Sequence, residues 1–190
     1  MSGEGVPPFA AIETPRLILR RMAAEDWPSV HRYMSDPVVT TWLPEGLLTQ
    51  AQSQAFAVKN ADEEPIVIAV IERASDELIG HMDYHPWFGA RTHEIGWALG
   101  REHQGRGYAT EAARALLADA FERLACHRVI ATCQPQNVAS WRVMEKLGMR
   151  REAHFHQCLL RDSGEWWDEY FYAILEEEYA AGAPGSRSIA

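Results

Sequence analysis

Between residues 104 and 109 the chain reads Gln104-Gly105-Arg106-Gly107-Tyr108-Ala109, a spacing that can hold phosphate. Glycine has no Cβ, so Gly105 and Gly107 let backbone N–H groups approach a ligand closely. A helix starting just after them adds unpaired donors and the positive end of its dipole. That combination suits a pyrophosphate, although on the residues alone a tight turn between a strand and a helix explains it equally well. Two other phosphate motifs are excluded. A Walker loop requires Gly-Lys-Ser/Thr ahead of its helix, where this chain has Tyr108-Ala109, and a dinucleotide fingerprint beginning at Gly105 requires glycine where Thr110 stands.

Other residue types with chemical capacity are scattered. His81, Asp83 and His85 alternate, as do His154 and His156; each set can share one face of a strand and resembles a metal ligand set, but alternating polar residues are usual on half-exposed strands, and the expectation for both sets is substrate contact rather than metal binding. The three cysteines, Cys126, Cys133 and Cys158, are odd in number and lack a C-x-x-C pair. They point to neither a disulfide framework nor a structural zinc site, and they fit a reducing cytoplasm. Most tryptophans are expected to pack in the core, but Trp42 lies in a proline-containing stretch and is the candidate for a wall of an acceptor pocket.

Composition bounds the setting of these residues. The chain has 190 residues, 47% hydrophobic and 24% charged, which suits one globular domain rather than a disordered or low-complexity chain. Eighteen Lys and Arg against 27 Asp and Glu give a net charge of −9. This argues against nucleic acid as a partner and in favour of a cationic one. No apolar run approaches the roughly 20 residues of a membrane helix, and the start MSGEGVPPFAA lacks the regions of a signal peptide. A cytoplasmic protein without a membrane partner is the expectation, as monomer or homodimer.

The elements that must position these residues follow from pattern. Residues 1–12 and 179–190 are rich in Gly, Pro, Ala and Ser and are expected to be loosely ordered, leaving 13–178 as one domain. Arg16 to Arg21 reads as a strand. Asp26 then caps a helix, with Pro28 in its first turn, that runs to about Met34. Asp36 to Leu48 reads as a loop, and the capping-box pair Thr49 and Gln52 opens a helix to about Lys59. Pro65 to Ile71 and Glu77 to Tyr84 form a hairpin about Ser75 and Asp76, with Thr92 to Leu99 as a third strand. Ala109 to Leu124 carries apolar residues at helical spacing. Arg128 to Cys133 is a strand, and Asn137 caps a helix that Gly148 stops. Two more strands, Glu152 to Leu160 and Trp166 to Leu175, flank a turn at Arg161 to Gly164. The order predicts an α/β (α+β) fold with a mixed sheet and helices on both faces.

With these elements in place the sequence resembles the GNAT-superfamily N-acetyltransferases, whose acetyl-CoA loop Q/R-x-x-G-x-G/A is matched by Gln104, Gly107 and Ala109. Arg16-Leu17-Ile18-Leu19-Arg20, Glu94-Ile95-Gly96-Trp97, Gly105 through Ala112, Asn137-Val138-Ala139-Ser140 and Glu145-Lys146-Leu147-Gly148 follow in the order of the branch similar to ribosomal-protein N-terminal acetyltransferases. The resemblance spans about Glu13 to Glu178. It implies the GNAT fold, with a mostly antiparallel sheet of about seven strands, and acetyl-CoA as co-substrate without a metal.

Residue roles implied by the resemblance are specific. The pyrophosphate falls to Gln104, Gly105, Arg106, Gly107, Tyr108, Ala109 and Thr110, and the pantetheine arm to the strand edge at Trp97, Ala98 and Leu99 and to Asn137, whose N-cap role is equally good physics. Ser140 is the candidate donor to the leaving thiolate, because Met144 stands where many relatives carry a tyrosine acid and cannot donate a proton. Glu94 is the candidate base, with a water relay as the alternative. Trp42, His81 and Asp83 are candidates for the acceptor side. The implied activity is direct transfer of acetyl to a primary amine, with a protein or peptide N-terminus preferred. A polyamine or aminoglycoside-like amine, and a non-catalytic acetyl-CoA sensor, are the alternatives.

Overall fold

The computed structural model describes residues 9–61, 66–161 and 163–182; Glu63, Glu64, Pro65, Asp162 and the outermost parts of both termini lie outside them. The chain divides into two compact units, one of residues up to His85 with Trp97–Leu116 and one of Pro86–Gly96 with the residues from Leu117 onward.

The first unit begins with β1 (Ile12–Glu13) and β2 (Leu17–Arg21). Leu17 and Leu19 are fully buried while the intervening residues are not, the period-two burial of a one-sided strand. β2 pairs antiparallel with β3 (Val67–Glu72), Leu19 opposite Val70, and β3 pairs antiparallel with β4 (Glu77–Pro86), Ala69 opposite His81. Val30, Tyr33 and Met34 of α1 (Trp27–Met34), Val39 of α2 (Pro37–Thr40) and Ala57 of α3 (Gln50–Lys59) join Val67, Ala69 and Ile71 in one apolar cluster.

Local chemistry sets these boundaries. The capping box opens α3, with Gln52 N–H donating to Thr49 Oγ1 at 3.3 Å and Thr49 N–H donating to Gln52 Oε1 at 2.9 Å. Asp26 departs from its expected role. Its carboxylate accepts from Arg20 at 2.7 and 2.8 Å and from Ala23 N–H at 2.7 Å, so it closes the preceding 3₁₀ turn instead of capping α1. The stretch expected to be all loop contains α2, because the Asp36 side chain accepts from Val38 N–H with Pro37 in the first turn, a complete start signal in two residues.

β5 (Thr92–Leu99) passes through both units. In the second, Thr92, His93 and Glu94 pair in parallel with Arg128, Val129 and Ile130 of β6 (Arg128–Cys133). β6 pairs antiparallel with β8 (Trp166–Leu175), and β8 with β7 (Arg150–Leu160). α4 (Tyr108–Ala118) gives way to a π turn at Asp119–Arg123, earlier than the expected helix end. α5 (Val138–Lys146) stops ahead of Gly148, at φ 82°, and α6 (Glu176–Gly182) closes the described chain.

The strand order is β1-β2-β3-β4-β5-β6-β8-β7, a mixed and mostly antiparallel sheet. It holds eight strands where about seven were expected; the difference is consistent with the two-residue β1, too short to leave a pattern. Gly80 fixes one close approach. A Cβ there would stand 2.2 Å from the Ala98 carbonyl oxygen and 2.8 Å from Leu99 Cα. Both are main-chain atoms, so Gly80→Ala is expected to destabilise the chain by about 1–3 kcal/mol. A lowered denaturant midpoint checks this; an unchanged midpoint would mean that β4 and the end of β5 are not held this tightly.

Candidate active site

The glycine loop is built as the spacing requires. Gly105 and Gly107 have φ of +71° and +83°, the left-handed region open to glycine at no steric cost. The first bond of α4 runs from Glu111 N–H to the Gly107 carbonyl at 3.0 Å. The N–H groups of Tyr108, Ala109 and Thr110 therefore precede the helical ladder, as at any helix start. Residues 104–107 are exposed, Tyr108 is buried, and Ala109 and Thr110 are half-buried, so the loop leads from the surface to the helix start, the kind of place where anions bind.

A network that the sequence did not disclose holds this loop. Tyr108 is buried and its hydroxyl donates to Glu72 Oε1, while Arg106 pairs with the same carboxylate at 3.3 Å. Tyr108, followed by other partners, holds the Glu72 carboxyl below the usual range. Arg16 Nε donates to Glu111 Oε2 at 2.6 Å and its Nη1 to the Arg106 carbonyl at 3.0 Å. The Arg16 and Arg106 guanidinium carbons lie 4.5 and 4.9 Å from the Tyr108 ring centre, a distance at which cation–π attraction operates. Gln104 Nε2 donates to the Leu99 carbonyl at 2.9 Å, which ties the loop to the end of β5. Arg16 and Glu111 both fall in sequence blocks already singled out, but 95 residues separate them and nothing local signals the pair.

On the remainder of the first unit, Ala98 and Leu99 are buried and Trp97 is half-buried. Trp42 is half-buried in the turn after α2. His81 is 2% exposed, its Nδ1 is 2.9 Å from the Tyr33 hydroxyl, and its ring lies 5.4 Å from that of Phe56. Burial pushes its pKa below the ordinary histidine value and that of Tyr33 well above the tyrosine value, so the pair is neutral near pH 7. His81 is thus a satisfied core group, while Asp83 on the same strand is only half-buried.

In the second unit, Glu94 is half-buried and opposite Ile130 at the last pair of the parallel ladder. The Asn137 side chain caps α5, accepting from Ser140 N–H at 3.3 Å. Ser140 is buried in the first turn of α5. Burial pushes the thiol of Cys133, at the end of β6, up to about 11, so Cys133 is not a thiolate nucleophile at neutral pH. Met144 is 1% exposed, one turn beyond Ser140, and packs in the core.

Comparison with known proteins agrees with this geometry. Residues 16–150 match the acetyltransferase (GNAT) domain family. YnaD, an uncharacterized N-acetyltransferase of Bacillus subtilis (strain 168), is 47% identical over 168 residues, covering 88% of this chain and 98% of YnaD. A GNAT-family acetyltransferase of Bacillus anthracis, known from its crystal structure, is 44% identical with a TM-score of 0.84, covering 88% of this chain and 99% of that one. The ribosomal L7/L12 alpha-N-protein acetyltransferase RimL, solved in complex with coenzyme A, shares the fold at 19% identity and a TM-score of 0.75, covering 87% of this chain and 98% of that one. The chain belongs to the GNAT family of acetyl-CoA-dependent N-acetyltransferases.

Proposed function

We propose that this enzyme acetylates the α-amine of a protein or peptide N-terminus by direct attack, with the pyrophosphate of acetyl-CoA on the loop Gln104–Thr110. The observation that carries the reading is the pair of left-handed glycines immediately ahead of the first turn of α4. Exposed main-chain donors at that turn and a helix dipole favour a dianionic group. The half-buried Trp97 with Ala98 and Leu99, beyond the last β5–β6 pair, offers main-chain partners to the amide-bearing pantetheine arm. Asn137 adds a polar side chain to that arm while keeping its cap.

Acetyl-CoA supplies the acetyl group as a thioester, whose thiolate leaves readily. What the protein must provide is proton management. An α-amine has an ordinary pKa of about 7.7–8.0 against about 10.4 for lysine, so a larger share is neutral near pH 7 and a modest base is enough. Glu94 takes the ammonium proton, directly or through a water. Ser140, in the first turn of α5, donates toward the departing sulfur. No metal is needed for these steps. Trp42 and Asp83 are assigned to the acceptor side, and His81, expected there as well, lies on the same strand as Asp83 but is buried against Tyr33. The net charge of −9 draws a cationic acceptor, and RimL, a ribosomal L7/L12 alpha-N-protein acetyltransferase, supports the same acceptor class.

Two experiments test this reading. Acetyl-CoA is expected to raise the melting temperature by binding only the folded chain, and Gly107→Glu to lose most of that rise, because a charged side chain would then stand beside the loop donors. An unchanged rise in the variant would place the co-substrate elsewhere. In the steady state, Ser140→Ala is expected to lower kcat more than it weakens acetyl-CoA binding, and Glu94→Gln to slow the reaction most at low pH. Losses of roughly 10²–10⁴-fold are typical of proton-transfer roles; full activity of both variants across the pH range would leave orientation alone as the source of catalysis.

A further inference from the structure

The hairpin of β7 and β8 carries a feature that acetyl transfer does not use. Its ladder shifts register once between Arg151 and Ala153, runs to Phe155 opposite Glu169, breaks again, and resumes at Leu159 opposite Trp167. Within the break Gln157 adopts a left-handed φ of 48°, uncommon for a side chain of its kind. The consequence is local: Gln157 N–H turns onto Asp168 Oδ1 at 2.8 Å. With one carboxylate oxygen anchored, the other faces two imidazoles, His154 Nε2 at 2.7 Å and His156 Nδ1 at 3.1 Å. The two rings lie 4.1 Å apart, and the Tyr170 ring meets His154 edge-on at 4.9 Å, restricting its rotation.

We propose that His154, His156 and Asp168 form a binding site for a divalent transition metal of the zinc type, clamping β7 to β8 across the break. The three ligand atoms lie within 4.8 Å of one another. Tetrahedral zinc at about 2.0–2.2 Å from each ligand requires neighbouring ligand atoms roughly 3.4 Å apart, so the nitrogen–oxygen distances of 2.7 and 3.1 Å need to open by about 0.7 and about 0.3 Å, a rotamer-scale adjustment. Two imidazoles and one carboxylate select zinc, nickel or copper over calcium and magnesium, which seek six or more oxygens. The Gln157 N–H is the kind of outer partner that fixes a ligating carboxylate. His156 is exposed, which provides an entry path and leaves a coordination position for water.

The test uses the untagged full chain, stripped with a chelator, dialysed and titrated with zinc chloride by calorimetry. One saturable site per chain is expected. Its affinity should fall on acidification, since both imidazoles must be unprotonated to bind, and zinc should raise the melting temperature. Cobalt in its place should give the intense visible absorption of a tetrahedral ion. The His154→Ala/His156→Ala variant is expected to lose the site while retaining the melting-temperature rise caused by acetyl-CoA, which shows that it is folded. Glu102→Ala, in the other carboxylate–imidazole cluster of Glu77, Glu102 and His103, should bind zinc unchanged. No saturable binding, or binding that survives the double histidine replacement, would overturn the proposal.

Discussion

Backbone N–H groups can be offered to an anion only where the chain turns with no side chain in the way, and this constraint organises the first unit around Gly105 and Gly107. Glycines that adopt left-handed φ readily also adopt many other conformations in the unfolded chain, so the loop must be held from outside. Glu72 and Arg16 do this. One carboxylate takes the Tyr108 hydroxyl and the Arg106 guanidinium, while one guanidinium bridges Glu111 and the Arg106 carbonyl. The charge of Arg106 is thereby engaged by Glu72 of β3, which leaves the main-chain donors for the proposed ligand. This division of labour explains why strand residues far from the loop in sequence belong to its working parts.

Much of this architecture is legible from the chain. The strands alternate or run apolar, Thr49 and Gln52 announce α3, Asn137 announces α5, and Gly148 ends it; each signal lies within four residues and depends on backbone chemistry that tertiary context leaves alone. Failures occur where a local signal meets a competing partner. Asp26 has the side chain of a cap but serves Arg20 and Ala23, and the apolar spacing from Ala109 to Leu124 continues through a change from α to π geometry at Asp119. Tyr108 with Glu72 is not legible, because 36 residues separate the partners. Gly105 and Gly107 are readable because their requirement is conformational and local.

In the second unit, Ser140 lies buried in the first turn of α5, where the Asn137 side chain accepts from its N–H. Burial keeps the thiol of Cys133, at the end of the preceding strand, protonated. A developing thiolate is a stronger acceptor than a neutral group, since hydrogen bonds to charged groups are roughly twice as strong, and this is the basis on which Ser140 is proposed as the donor. Met144 is buried one turn further on and has no proton to give.

Acceptor chemistry is where the reading of this enzyme is most exposed to a single measurement. The full chain, acetyl-CoA and a pool of peptides with varied N-termini and internal lysines are incubated together, free thiol is followed with time, and the acetylated positions are mapped by tandem mass spectrometry. Direct transfer to α-amines predicts acetyl on peptide N-termini, with one thiol released for each acetyl found. Thiol release with no acetylated amine, or acetyl confined to lysine side chains, would contradict it.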